Sequence, residues 1–140
     1  SANYRRKLRD LRTRFSQRKP VRTFYQVWNR PLITVGGREL INDMISVCGG
    51  SNIFGELSRI APKVSVESVL SRDPQVIIAS GMDQGRPEWL NGWRDWTNLS
   101  AVKEDKLFFI PPDLMQRYTP RALDGAQRLC AQIDSVRNSD

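Results

Sequence analysis

The residues of this 140-residue chain best suited to holding a ligand lie near its end, in the stretch IPPDLMQRYTPR from Ile110 to Arg121. Asp113 can accept hydrogen bonds, Arg117 and Arg121 can each donate several in a planar fork, and Tyr118 adds a phenol. Pro111 and Pro112 stop the apolar run before them, and Pro120 precedes an amphipathic run, so these polar groups are confined to one loop. Each has a plainer role as well: Asp caps turns, and arginines populate ordinary surfaces.

Catalytic constellations are sparse. With no histidine in the chain, the usual partner of a cysteine nucleophile or a zinc site is missing. There is no GxSxG, no P-loop and no GxGxxG. A carboxylate pair is the enzyme class that stays open, and neither catalysis nor a metal or cofactor is expected. Cys48 and Cys130 are 82 positions apart, which excludes CxxC chemistry; they are either two buried thiols or one long-range disulfide.

The net charge of +7 is unevenly placed. Nine bases and one acid fall within residues 1–25, and the remainder carries 13 bases and 14 acids. Without interleaved aromatics, the basic run reads as a solvated helix face, and no nucleic-acid partner is expected. The length suits one domain, no apolar run is long enough to span a bilayer, and SANYRRKLRD lacks the apolar core of a secretory signal. The chain is therefore expected to be either cytoplasmic or a processed or truncated piece.

The elements that must position these residues follow from periodicity. Tyr4, Leu8, Leu11 and Phe15 predict a helix that Pro20 stops. Val21–Trp28 reads as a strand. Leu40, Ile41, Met44, Ile45 and Cys48 share a helical face, with Gly49 and Gly50 as the stop. Ser65 caps a short helix with Val66, Val69 and Leu70 inward, ended by Pro74. Gln75–Ser80 is a continuous apolar run, the mark of a strand buried on both faces of a parallel sheet. Trp89, Trp93 and Trp96 read as packing, Lys106–Pro111 as the next buried strand, and Ala122 to Ile133 as a closing helix capped by Thr119. This alternation predicts an α/β fold with a parallel sheet, its loops NRPLITVGG, GMDQGRP and PPDLMQRYTP gathered at the ligand-binding edge.

The order of LITVGGRELINDMISVCGGSNIF, PKVSVESVLSRDPQVIIASG and RYTPRALDGAQRLCAQI resembles the C-terminal lobe of the periplasmic substrate-binding proteins of ABC importers whose lobes are joined by one rigid helix. Within them it looks most like the cobalamin binders; haem and siderophore binders share SxExVLxxxPxVII. The resemblance runs from about Val21 to Val136. It implies an inter-lobe helix over residues 1–20 and a three-layer lobe over 21–140, its central, mainly parallel sheet flanked by helices. It further implies a second, N-terminal lobe, a periplasmic location and a Cys48–Cys130 disulfide. By the same resemblance, Asp113, Leu114, Met115, Gln116, Arg117 and Trp28 would contact a corrinoid, and Glu67 would dock the lobe on an inner-membrane permease. The chain departs from those relatives at Ala61, where they have a cleft tryptophan, and at Leu114 and Met115, where they have an aromatic pair. Tyr118 is a residue type that a haem binder could use as an axial ligand.

Overall fold

The computed structural model describes residues 2–81, 84–115 and 121–138. Helix α1, Ala2–Phe15, leads into strand β1, Val21–Gln26; then follow α2, Leu40–Val47, and a short β2, Gly50–Asn52. Helix α3, Val66–Arg72, and β3, Val76–Ala79, come next, followed by a 3-10 helix, Glu88–Asp95. The chain closes with α4, Ser100–Lys103, β4, Leu107–Phe109, a 3-10 turn, Pro112–Met115, and α5, Ala122–Asp134. The four strands form one parallel sheet in the order β2-β1-β3-β4.

Alternation along the central strands builds two cores. Val21, Tyr25, Val76 and Ile78 face α1, α2 and α5, packing with Phe15, Ile45, Leu129 and Ile133. Phe24, Ile77 and Ala79 face the other way, onto Val69 of α3, Leu90 and Trp93 of the 3-10 helix and Ala101 of α4. All four residues of β3 are fully buried, as its apolar run predicts. The result is the expected α/β lobe of three layers.

Several expectations are corrected. Helix α1 ends at Phe15, before Pro20, because the chain must turn to start β1. Arg18 there bonds Asp134 at 2.8 Å, and the Val21 N–H bonds the Gly49 carbonyl. Strand β1 stops at Gln26, since Val27 and Trp28 turn to pair with Ile33. Gly49 does end α2, with φ of 78°, but Gly50 belongs to β2, an edge strand whose GSN sequence carries no apolar signal. The tryptophans do not form one packed stripe. In a three-residue turn Leu90 and Trp93 share the inward face, while Trp96 lies past the helix end and is 45% exposed. The Ser65 cap of α3 holds as expected, its hydroxyl accepting from the Ser68 N–H at 3.1 Å.

Cys48, at the end of α2, and Cys130, within α5, are buried and joined as a disulfide with their Cα atoms 4.6 Å apart. Two carboxylates lock the edge where the strands begin. Burial pushes the Asp73 carboxyl up, but the Ser100 N–H and hydroxyl and Arg22 outweigh it and hold it low. At Asp134 burial is likewise overcome, by Arg137 and Arg18.

Alkylation without reductant should label neither thiol, and reduction should lower stability to urea by about 4 kcal/mol, the closure entropy of so long a loop. Because Asp73 and Asp134 titrate lower in the folded than in the unfolded chain, they stabilise above the ordinary carboxylate value of 3.8 and cease to as the pH falls through their folded values. The urea midpoint should therefore drop on acidification from about pH 5 to about pH 2, and less steeply in Asp73→Asn.

Candidate functional site

All four strands run the same way, so the segments that follow them, 27–39, 53–65 and those beginning at Ser80 and Ile110, leave from one edge of the sheet. The second of these escapes the sequence reading together with β2. After β4 the chain continues in register for one residue, the Ile110 N–H bonding the Ala79 carbonyl, and folds into the Pro112–Met115 turn. That turn sits directly on α5: a Cβ at Gly125 would lie 2.0 Å from the Leu114 carbonyl oxygen. Only glycine allows the two backbones so close.

Asp113 is half-buried and its Oδ2 accepts from Arg121, the arginine at the start of α5. Its Oδ1 is buried with no hydrogen-bond partner among the described residues. Leu114 points into the core, 7% exposed, whereas Met115 lines an open groove of about 430 Å³. With Met115 it is lined by Arg38 from the first segment, Leu40 from the start of α2, and Ser58 and Ile60 from the second segment. Leu40, expected in the core, is 36% exposed here, at the first turn of α2. Gln116 and Arg117, with Tyr118, Thr119 and Pro120, lie outside the described residues.

Trp28 is half-buried on the same edge but does not line that groove. Its indole N–H donates to the Arg30 carbonyl at 3.0 Å, while its own carbonyl accepts from the Ile33 N–H and from Gln26 Nε2. Buried Gln26 in turn accepts from the Trp93 indole at 2.7 Å, so a polar chain runs from the 3-10 helix to the Trp28 loop. Beneath these loops burial pushes the Tyr25 phenol far up, against a hydrogen bond from Ser80, and keeps it neutral. Glu67 is exposed on the first turn of α3. Sequence reasoning misses Arg38, Ser58 and Ile60; the one signal is an isolated isoleucine in the polar run SRIAPK, with no periodic partner.

The described residues contain no cluster of three or more acidic or sulfur ligands able to hold a metal. A second concavity, about 260 Å³, lies at the opposite edge among Lys19, Val21, Gln75 and Arg137. Arg137 is already engaged there by the Lys19 and Gly49 carbonyls and by Asp134.

A parallel α/β lobe with an open, largely apolar groove at its strand ends has the form of a ligand-binding half-site. The chain belongs to the periplasmic binding protein family, whose pattern matches residues 2–114. It is 37% identical over 134 residues to the vitamin B12-binding protein of Vibrio cholerae, covering 94% of this chain and 47% of that one. With the vitamin B12-binding protein of Yersinia pestis it shares 35% identity over 133 residues, 95% of this chain and 45% of that one. The crystal structure of the periplasmic vitamin B12 binding protein of V. cholerae superposes with a TM-score of 0.82 at 35% identity, over 97% of this chain and 52% of that one. A possible iron-binding protein from Staphylococcus epidermidis gives the same TM-score at 21% identity, over 94% of this chain and 52% of that one, a likeness of fold alone. The chain thus spans about half the length of the relatives it matches.

Gly125→Ala should cost about 1–3 kcal/mol in urea unfolding, because the Cβ collides with backbone that cannot swing away. Gly92→Ala, whose Cβ meets nothing within 4 Å, should cost less than about 1 kcal/mol.

Proposed function

We propose that this chain is the C-terminal half of a two-lobe periplasmic receptor that captures cobalamin and delivers it to the permease of an ABC importer, without chemistry of its own. The observation that carries the reading is the 37% identity to a vitamin B12-binding protein along 94% of the chain. The open groove at the strand ends and the half-length match both fit it. In this reading residues 1–20, with α1, are the distal part of the inter-lobe helix, 21–140 the C-terminal lobe, and the N-terminal lobe closes over the groove.

A corrinoid presents a broad flat ring with neutral amides at its rim. Met115 offers apolar surface to the ring in the groove, and Trp28, outside the groove on the same edge, extends that surface. Asp113, half-buried on the turn that carries Met115, accepts amide N–H groups, and Gln116 and Arg117 extend the polar contacts. A sheltered charge-assisted bond of this kind contributes about 1.5–3 kcal/mol. Glu67, exposed beside the same edge, is the docking group for a basic patch on the permease. The buried disulfide suits an oxidising compartment such as the periplasm.

The intact two-lobe protein should show saturable quenching of tryptophan emission by cyanocobalamin. A flat titration, with quenching by haem or a ferric siderophore instead, would overturn the ligand assignment and leave the family standing. Glu67→Lys should leave cobalamin affinity unchanged while weakening association with the permease in proteoliposomes by about tenfold.

A further inference from the structure

Ile60 is 79% exposed, the most exposed of the large hydrophobic side chains in the described residues, and the turn it stands on is tightly held. Ala61, the next residue, has φ of 49°, a left-handed conformation that alanine rarely adopts. Such a conformation persists only where surrounding contacts over-determine it. Here Glu39 supplies them. It occupies the N-cap position of α2 yet makes no side-chain bond to its own helix. Its Oε2 instead accepts from the Gly36 N–H at 2.5 Å and, across the groove wall, from the Ala61 N–H at 3.3 Å. The Gly37 N–H bonds the Leu57 carbonyl before the turn, and after it the Thr34 N–H bonds the Pro62 carbonyl and the Val64 N–H the Leu32 carbonyl, so both sides of the turn are tied to the first loop. A Cβ on Gly36 would sit 2.5 Å from the Leu57 carbonyl oxygen and one on Gly37 2.0 Å from that of Gly55, so the two loops are in close backbone contact.

A turn held this firmly, presenting a bare isoleucine beside Met115 and Leu40, is built to place apolar surface in the groove. We infer that Ile60 is a ligand contact, the apolar wall against which the flat face of the bound macrocycle rests, and that Glu39 is the positioning residue that holds it there through Ala61. The inference rests on the receptor reading above and deepens it. An aliphatic wall lacks the stacking face of an aromatic one, so it selects by shape and apolar area.

The test uses the intact two-lobe protein and cyanocobalamin, with affinity from fluorescence titration and stability from thermal melting. Ile60→Ala should weaken binding about tenfold with an unchanged melting temperature, since the side chain is already in water without ligand. Glu39→Ala should weaken binding similarly, and Glu39→Gln, whose amide oxygen can still accept both N–H groups, should restore it. If the wild-type protein binds and Ile60→Ala binds equally well, the inference fails and the receptor reading survives. If Ile60→Ala instead spares cobalamin affinity and weakens permease association, Ile60 is a docking residue and the inference again fails. A wild-type protein that does not bind cyanocobalamin overturns both.

Discussion

Parallel pairing of β1 and β3 at the centre of the sheet is the constraint from which the rest follows. Each is hydrogen-bonded on both sides and buried on both faces, and no tight turn can join parallel neighbours. Every connection must therefore cross the sheet through a helix, and the helices divide into two layers. Phe24 and Tyr25, adjacent in sequence, serve opposite cores for this reason. The same geometry sends every outgoing loop to one edge, where Met115, Leu40 and Ile60 meet although they lie far apart in the chain.

The two edges of the sheet are finished differently. Where the strands begin, Asp134 is held between Arg18 and Arg137, and Asp73 joins Arg22 to the start of α4. Polar groups there are spent on one another. Where the strands end, the loops are fastened mainly by backbone bonds and by Glu39, and side chains such as Ile60, Leu40 and Met115 are left to face outward. The sheet thus has a rigid rear and an available front.

How much of this was legible depended on how strongly each segment announces itself. Strand β3 and helix α5 were, because an unbroken apolar run and a 3.6-residue stripe have few alternative readings. Strand β2 was not: GSN has no strand signal, and its pairing is imposed by β1. The exposure of Trp96 depends on the preceding helix being 3-10, which the spacing of tryptophans alone does not reveal. At the site, the loop carrying Asp113 and Met115 was visible from its prolines, and residue roles came only through family resemblance. The Asp113–Arg121 pairing and the Glu39 bridge were invisible, since each joins residues through a fold the chain does not spell out locally.

The Cys48–Cys130 bond has a mechanical meaning as well. Helix α2 runs from Leu40, at the groove, to Cys48, and α5 runs from Ala122, beside the Pro112–Met115 turn, to Cys130. At 1.5 Å per residue both are arms of about 12 Å pinned together at the far end. A swing of about 10° at the pin would carry the tip of either arm roughly 2 Å, enough to shift Leu40 relative to Met115 across the groove. The tolerance of the groove is thus set by a covalent fulcrum that is no part of its lining.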